Sequence, residues 1–331
     1  MRQDFLEEAN ARDEGVSVEW QGDNQQWWNW YMGRADNRIT TPMEPAEATA
    51  RAGRVADEPP SLPGPEALRI ELEAPYPLDP EARTRFQRDG YVKLDRVLSP
   101  GALVLLRREM QADLVAELGR DPGLEFRSGE MMWLRSPIFR SFVLSRRLGQ
   151  IAASLLGVPR VRLYHDNALS KEPGCGRTPW HFDDDHFPIA SRNVCTAWIP
   201  LQATPRSMGP LAFAVGMETY RSVEDVPFDK FDSSHDRQVA EAFEAHGVVV
   251  DDAPFALGEV SFHHALSFHT AGPNRTRDSR MALATTYFED GARVVDAATM
   301  ISGDWRKFMP GVEPGDVIRS EYNPVCFDAD L

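Results

Sequence analysis

Residues 179–186 read Pro179-Trp180-His181-Phe182-Asp183-Asp184-Asp185-His186. A histidine and a carboxylate stand one residue apart. Along extended chain, residues i and i+2 point to the same face, so His181 and Asp183 can reach one metal ion together. A second histidine, His269, comes much later in Phe268-His269-Thr270-Ala271-Gly272-Pro273-Asn274, before a turn, and Arg280 follows it. Two histidines and one carboxylate leave open coordination positions. They form the ligand set of a non-haem Fe(II) oxygenase. Arg280 opens an apolar run, where a guanidinium needs a buried partner, and its planar fork suits a carboxylate.

Working outward, the region around this motif is rich in short alternating runs. Val161–Leu169, the run ending at His181-Phe182-Asp183, Val194–Leu201, Leu211–Val215, Val248–Val250, Glu259–His263 and Arg280–Tyr287 each read as strands. Upstream, helical patterns dominate. Asp79-Pro80 opens a helix that stops at Asp89-Gly90, followed by a strand at Tyr91–Leu94. Ser99-Pro100 caps a longer helix to about Leu118, with Leu103, Leu106, Met110, Leu114 and Leu118 on one face. Ser145 begins another, stopped by Gly157 and Pro159. Residues 217–247 are polar and read as an insertion with some helix. Helices first and many short strands later predict a mainly β protein with flanking helices, an antiparallel barrel or jelly roll.

The domain division predicted is 1–78, an N-terminal extension, and 79–331, the β domain. The extension holds an aromatic cluster (Trp20, Trp27, Trp28, Trp30, Tyr31) and a Pro-rich linker, Pro59-Pro60-Ser61-Leu62-Pro63-Gly64-Pro65. The cluster needs burial, which a brace against the main domain supplies, as would a cover over the site or a dimer contact.

The chain has 331 residues, 42% hydrophobic and 26% charged, with a formal net charge of -15. That composition is ordinary for a globular protein. The negative charge argues against a nucleic-acid partner and against an anionic membrane surface. No apolar run approaches a transmembrane length, and the first residues, MRQDFLEEANARDEG, lack the apolar core of a secretory signal. The three cysteines, Cys175, Cys195 and Cys326, are too scattered for a disulfide framework or a zinc site. A cytoplasmic location is the expectation. The expected partner is a small molecule, and the oligomeric state stays open between monomer and homodimer.

Several of these motifs together resemble the phytanoyl-CoA dioxygenase family: Lys171-Glu172-Pro173-Gly174, Pro179–Asp183, Thr196-Ala197-Trp198-Ile199, Gly209-Pro210-Leu211, His269–Asn274, Arg280, and the earlier Phe86-Gln87-Arg88-Asp89-Gly90-Tyr91-Val92. The resemblance spans about residues 80 to 290. It implies a double-stranded β-helix (cupin-like jelly roll) using Fe(II), 2-oxoglutarate and O2. It makes His181, Asp183 and His269 the catalytic iron ligands. It pairs Arg280 with the distal carboxylate of 2-oxoglutarate and sets Asn167 and Trp198 beside that co-substrate. The implied reaction is hydroxylation, desaturation or epoxidation of a small organic molecule, with release of succinate and CO2. Two positions depart from the family pattern: Gly216-Met217-Glu218 stands where Gly-Ser-His is common, and Ala271 stands where Ser is common. Halogenating relatives lack the ligand carboxylate, so Asp183 argues for oxygen transfer.

Other histidines compete. His186 with His181 and Asp185 is a rival ligand set, but it leaves His269 unexplained. His263 and His264 are adjacent, so at most one faces inward, and a structural role is the simpler reading for both. His165 shares strand parity with Asn167, at a pocket-lining position. Candidate substrate contacts are Phe182, His186, Phe187, Trp133 and Arg135, with Met131, Met132, Arg177 and Arg192 as further possibilities. A secondary metabolite is the substrate expected from the breadth of the family. The alternative from another class is a catalytically silent jelly roll that binds a metal or metabolite.

Overall fold

A computed structural model of the chain describes residues 62–119, 126–223, 225–226, 233–295 and 305–331. The Trp-rich stretch of the N-terminal extension lies outside the described residues.

Two antiparallel sheets face one another. The larger contains β1 (Tyr91–Leu94), β2 (Phe126–Glu130), β3 (Arg160–Lys171), β5 (Val194–Pro200), β8 (Val260–His264), β10 (Arg280–Glu289) and β11 (Val325–Asp328). Its order is β1-β8-β5-β10-β3-β11, with β2 also paired to β3. The smaller contains β4 (Thr178–His181), β6 (Leu211–Ala214), β7 (Val250–Asp251) and β9 (His269–Ala271), in the order β4-β9-β6-β7. From β3 to β6 and again from β7 to β10, consecutive strands alternate between the sheets, which is the double-stranded β-helix expected.

Helices cover the outer face of the larger sheet. They are α1 (Pro65–Glu73), α2 (Ala82–Asp89), α3 (Pro100–Leu118), α4 (Pro137–Val143) and α5 (Arg146–Leu156). Each boundary has a local cause. Ser99 and Ser145 accept hydrogen bonds from Ala102 and Leu148 N–H, satisfying first-turn donors of α3 and α5. Gly90 and Gly157 end α2 and α5 in the left-handed region at φ 85° and 75°. The helices bury Phe86, Leu103, Leu106, Met110, Phe139, Phe142, Leu148, Ile151 and Leu155 against outward-facing strand residues such as Leu163, Cys195, Ala197, Phe262 and Tyr287. Helix α1, on the N-terminal side of residue 79, adds Leu68 and Leu72 to the same core.

The insertion supplies a sixth helix, α6 (Ser233–Ala245). It covers the outer face of the smaller sheet, with Val239 and Phe243 packed among Trp180, Ala214 and Phe268. After β10 the chain returns as a short turn at Trp305–Lys307, and Phe308, Met309 and Ile318 close a further cluster on Tyr164, Val194 and Phe288. Among the described residues, no helix is long and apolar enough to cross a membrane.

Three details position the site. The strand carrying His181 ends at that residue, earlier than the sequence reading had it, and Asp183 opens a 3-10 turn, Asp183–His186. Strand β3 carries a bulge: His165 pairs with Thr286 and Leu163 with Tyr287, so Tyr164 is the extra residue. Gly209 lies at φ 75°, and a Cβ there would sit 2.1 Å from the carbonyl oxygen of Gly272, so only glycine lets the β6 entry turn approach the β9 exit turn.

Candidate active site

The smaller sheet brings the two histidines together. In the β4–β9 pair His181 stands directly opposite His269, and opposed residues of antiparallel strands share a face. Their ring centroids are 4.2 Å apart. Although β4 has ended, Phe182 keeps extended backbone (φ -132°, ψ 150°), which returns Asp183 to the face of His181. Ligand atoms of His181, Asp183 and His269 all lie within 4.8 Å of one another.

Each donor is oriented from behind. His181 Nδ1 lies 2.8 Å from the Pro179 carbonyl oxygen, and His269 Nδ1 lies 3.0 Å from that of Ser267. A carbonyl can only accept, so both rings carry a proton on Nδ1, the orientation in which Nε2 is the ligand atom. Asp183 Oδ2 accepts from Thr196 Oγ1 at 2.9 Å and from His263 Nε2 at 3.2 Å. Its Oδ1 lies 3.7 Å from His269 Nε2. Burial, helped by the neighbouring imidazoles, holds His269 well below the usual histidine range, so it is neutral. Burial pushes Asp183 up, but the His263 hydrogen bond and the surrounding imidazoles outweigh it and hold the carboxyl well below its usual range. Neutral imidazoles and an ionised carboxylate are the forms that bind a metal, so this donor set fits a divalent iron.

His263 departs from the structural role read for it. It sits on β8, which pairs with β5 so that His263 opposes Thr196, and both side chains reach Asp183. His264 obeys strand parity and faces away, accepting from Leu266 N–H at 3.1 Å. The signal that separated the two was parity against Thr196 and Trp198, which needs the strand partner and is invisible along one strand.

Deeper in the barrel lies a second polar feature. Arg280 is 1% exposed, with Nε and Nη1 enclosed and without hydrogen-bond partners. Among the described residues no carboxylate pairs with it. Its guanidinium lies over the Trp198 ring, 5.3 Å from the centroid. Burial lowers its pKa to about 10, which leaves it charged at neutral pH. Lys171 stands opposite Arg280 in the β3–β10 ladder and donates to the carbonyls of Ala271 (3.3 Å) and Gly272 (2.8 Å). Burial, with Arg280 nearby, pushes Lys171 down to about 7. A buried fork with unused donors is a costly arrangement unless an anion completes it, and it fits the distal carboxylate of 2-oxoglutarate. Asn167, on the same inner face of β3, opposes Ala284, and its Oδ1 accepts from Ser128 Oγ at 2.8 Å. Trp198 opposes Ala284 from the other side and has a buried, unpartnered Nε1.

The structure sorts the candidate substrate contacts. Phe187 packs edge-on against Tyr164 (5.0 Å) and stands 5.7 Å from His165, on the inner side. Phe182 is turned to the opposite face, 4.9 Å from Phe268 in the cluster under α6. Alternation requires this once His181 and Asp183 face inward, and it removes Phe182 from the pocket lining. Trp133 is buried between Arg140 (4.9 Å) and Tyr322 (6.5 Å), within the helical core. Arg135 is exposed and reaches the carbonyl of Glu130. His186 ends the 3-10 turn that Asp183 begins, and its side chain lies outside the described residues.

Comparison with known proteins agrees with this geometry. The chain is an Fe(II)- and 2-oxoglutarate-dependent oxygenase, an oxidoreductase built on the jelly roll described above. It belongs to the phytanoyl-CoA dioxygenase (PhyH) family, whose sequence model matches residues 86–282. Among solved structures it is similar to the non-haem α-ketoglutarate-dependent carbocyclase SnoK from nogalamycin biosynthesis. That match has 26% identity and a TM-score of 0.62, over 76% of this chain and 99% of that one. The epimerase SnoN from the same biosynthesis shares the fold at 23% identity and TM-score 0.58, over 74% of this chain and 97% of that one. So does EctD from S. alaskensis, solved with 2-oxoglutarate and 5-hydroxyectoine, at 20% identity and TM-score 0.57, over 74% of this chain and 88% of that one. No curated protein sequence matches the chain.

Proposed function

We propose that His181, Asp183 and His269 hold the iron, that Arg280 receives the distal carboxylate of 2-oxoglutarate beside Asn167 and Trp198, and that the enzyme oxidises an unactivated C–H bond of a small organic molecule. One observation carries this reading: three ligand atoms within 4.8 Å of one another share the barrel with a buried guanidinium that has no carboxylate partner among the described residues. The carbocyclase from nogalamycin biosynthesis supports a secondary metabolite as substrate, and hydroxylation is the default outcome.

The bound iron, with 2-oxoglutarate and O2, supplies the oxidising power, releasing succinate and CO2. The chain's residues do the rest. Thr196 and His263 keep both lone pairs of Asp183 Oδ2 occupied, so that Oδ1 alone is presented. The carbonyls of Pro179 and Ser267 fix the imidazole tautomers. Arg280 sets the reach of the co-substrate.

Anaerobic addition of Fe(II) and 2-oxoglutarate should give a visible charge-transfer band, and succinate should form in air. Absence of both sinks the oxygenase reading. Asp183→Ala should lose iron and turnover, while Asp185→Ala keeps the metal. The reverse result would make Asp185 and His186 the ligands.

A further inference from the structure

His165 lies on the inner face of β3, just after the bulge, directly opposite Thr286. Thr286 Oγ1 is 3.0 Å from Thr196 Oγ1, which in turn bonds Asp183. The imidazole therefore stands one side-chain layer from the metal-binding carboxylate. Its ring packs against Tyr164 (4.8 Å, edge-on), Phe187 (5.7 Å, edge-on) and Phe308 (4.9 Å, tilted). Those rings come from a strand bulge, the segment after the metal motif and the C-terminal return, so three separate parts of the chain converge on one side chain.

The ring has no hydrogen-bond partner among the described residues. Nδ1 is enclosed and unpartnered, while the residue as a whole keeps some exposure. Burial lowers its pKa to about 4, so it is neutral at physiological pH. With Nδ1 enclosed, Nε2 is the ring nitrogen left to meet an incoming molecule, and in the Nε2–H tautomer it donates. Lys307, the basic group beside the ring, is already held by Glu130 at 2.6 Å. A carboxylate brought to this ring would be desolvated beside Phe187, and among the described residues the basic group there, Lys307, is already paired.

We infer that His165 is a substrate-positioning residue, backed by the fully buried rings of Tyr164 and Phe308, whose ring N–H holds a hydroxyl or carbonyl oxygen of a neutral ring compound lodged against Phe187, the one of the three rings that keeps exposure. This rests on the oxygenase reading only for the identity of the bound molecule as substrate. It makes the site selective for oxygenated, uncharged, predominantly apolar rings over acids and over plain hydrocarbons.

The test is calorimetric titration, without oxygen, of the protein loaded with Fe(II) and 2-oxoglutarate. The probes are 2-tetralol, 2-tetralone, tetralin and tetralin-2-carboxylate. The alcohol and ketone should bind at least about tenfold tighter than tetralin or the acid, a difference of about 1.4 kcal/mol. His165→Phe should abolish that preference, His165→Gln should restore part of it, and the dissociation constant for 2-oxoglutarate should stay unchanged in both. Three results would overturn the inference: no binding of 2-tetralol to the unsubstituted protein, strongest binding of the acid, or an undiminished preference in His165→Phe. The charge-transfer band is read in the same samples. Its absence would refute the oxygenase reading and leave the probe preference of His165 to stand or fall by itself.

Discussion

Arg280 and Asp183 face opposite electrostatic problems. Asp183 is supplied with two donors and three nearby imidazoles, whereas Arg280 is buried with donors to spare. Arg280→Lys keeps the charge but loses the fork, and we expect the dissociation constant for 2-oxoglutarate to rise about tenfold. Arg280→Ala removes a buried charge partner, so the loss should be larger, on the order of 2–5 kcal/mol. Anaerobic titration of the charge-transfer band measures both. His263→Phe removes one of the two donors on Asp183 Oδ2. Substitutions behind a metal ligand cost about 10–100-fold in metal affinity, so Fe(II) binding should weaken by that amount while the circular dichroism spectrum is unchanged. At this scale the sequence was informative about residues whose type is diagnostic. The convergence of His181, Asp183 and His269 and the burial of Arg280 were legible because two imidazoles, a carboxylate and a guanidinium in an apolar run each demand an explanation. His263 was not, because its role is set by which strand lies beside it. Phe182 lies under α6 and not in the pocket for a related reason: with His181 and Asp183 turned inward at i and i+2, the residue between them turns outward.

The elements were legible in proportion to their length and their caps. Helices α3 and α5 carry Ser at the N-terminus, and α5 ends on glycine, so both begin and end where the sequence reading put them. Strands β2, β9 and β11 have five, three and four residues, too few for alternation to stand out, and they form because longer neighbours template them. The turn Met131–Leu134 shows a further kind of dependence. Met131 adopts φ 55°, and the turn is held by Asp166, whose carboxylate accepts from Met132 N–H (2.8 Å) and Trp133 N–H (3.3 Å). Burial raises the Asp166 pKa to about 7 even though these hydrogen bonds favour the ionised form. The folded protein therefore holds this proton between about pH 4 and pH 7, where the unfolded chain releases it. Stability from this group is greatest at the acidic end and falls as pH rises, by up to about 1.4 kcal/mol per pH unit. Asp166→Asn should flatten that slope in urea titrations run across the window. Gly209→Ala should disrupt the approach of the β6 and β9 turns and lower thermal stability, because backbone stands where the new Cβ would go.

For the whole molecule, ligands and folding share one free energy. A chain with an unmatched guanidinium in its interior gains stability when a carboxylate arrives. At a ligand concentration of 100 times its dissociation constant the gain is about 2.7 kcal/mol. The melting temperature with Fe(II) should therefore rise on adding 2-oxoglutarate and rise less in Arg280→Ala. The architecture adds a mechanical side to this. His181 and His269 belong to the smaller sheet, while the groups that steady Asp183 belong to the larger one. An ion held at that point would rivet the two walls of the barrel to each other. Chelation should then be felt as a loosened seam: amide hydrogens of β4 and β9 exchange faster, while the long β3, β5 and β10 ladders keep their protection. A site usually described by what it oxidises thus also determines how tightly the barrel is closed.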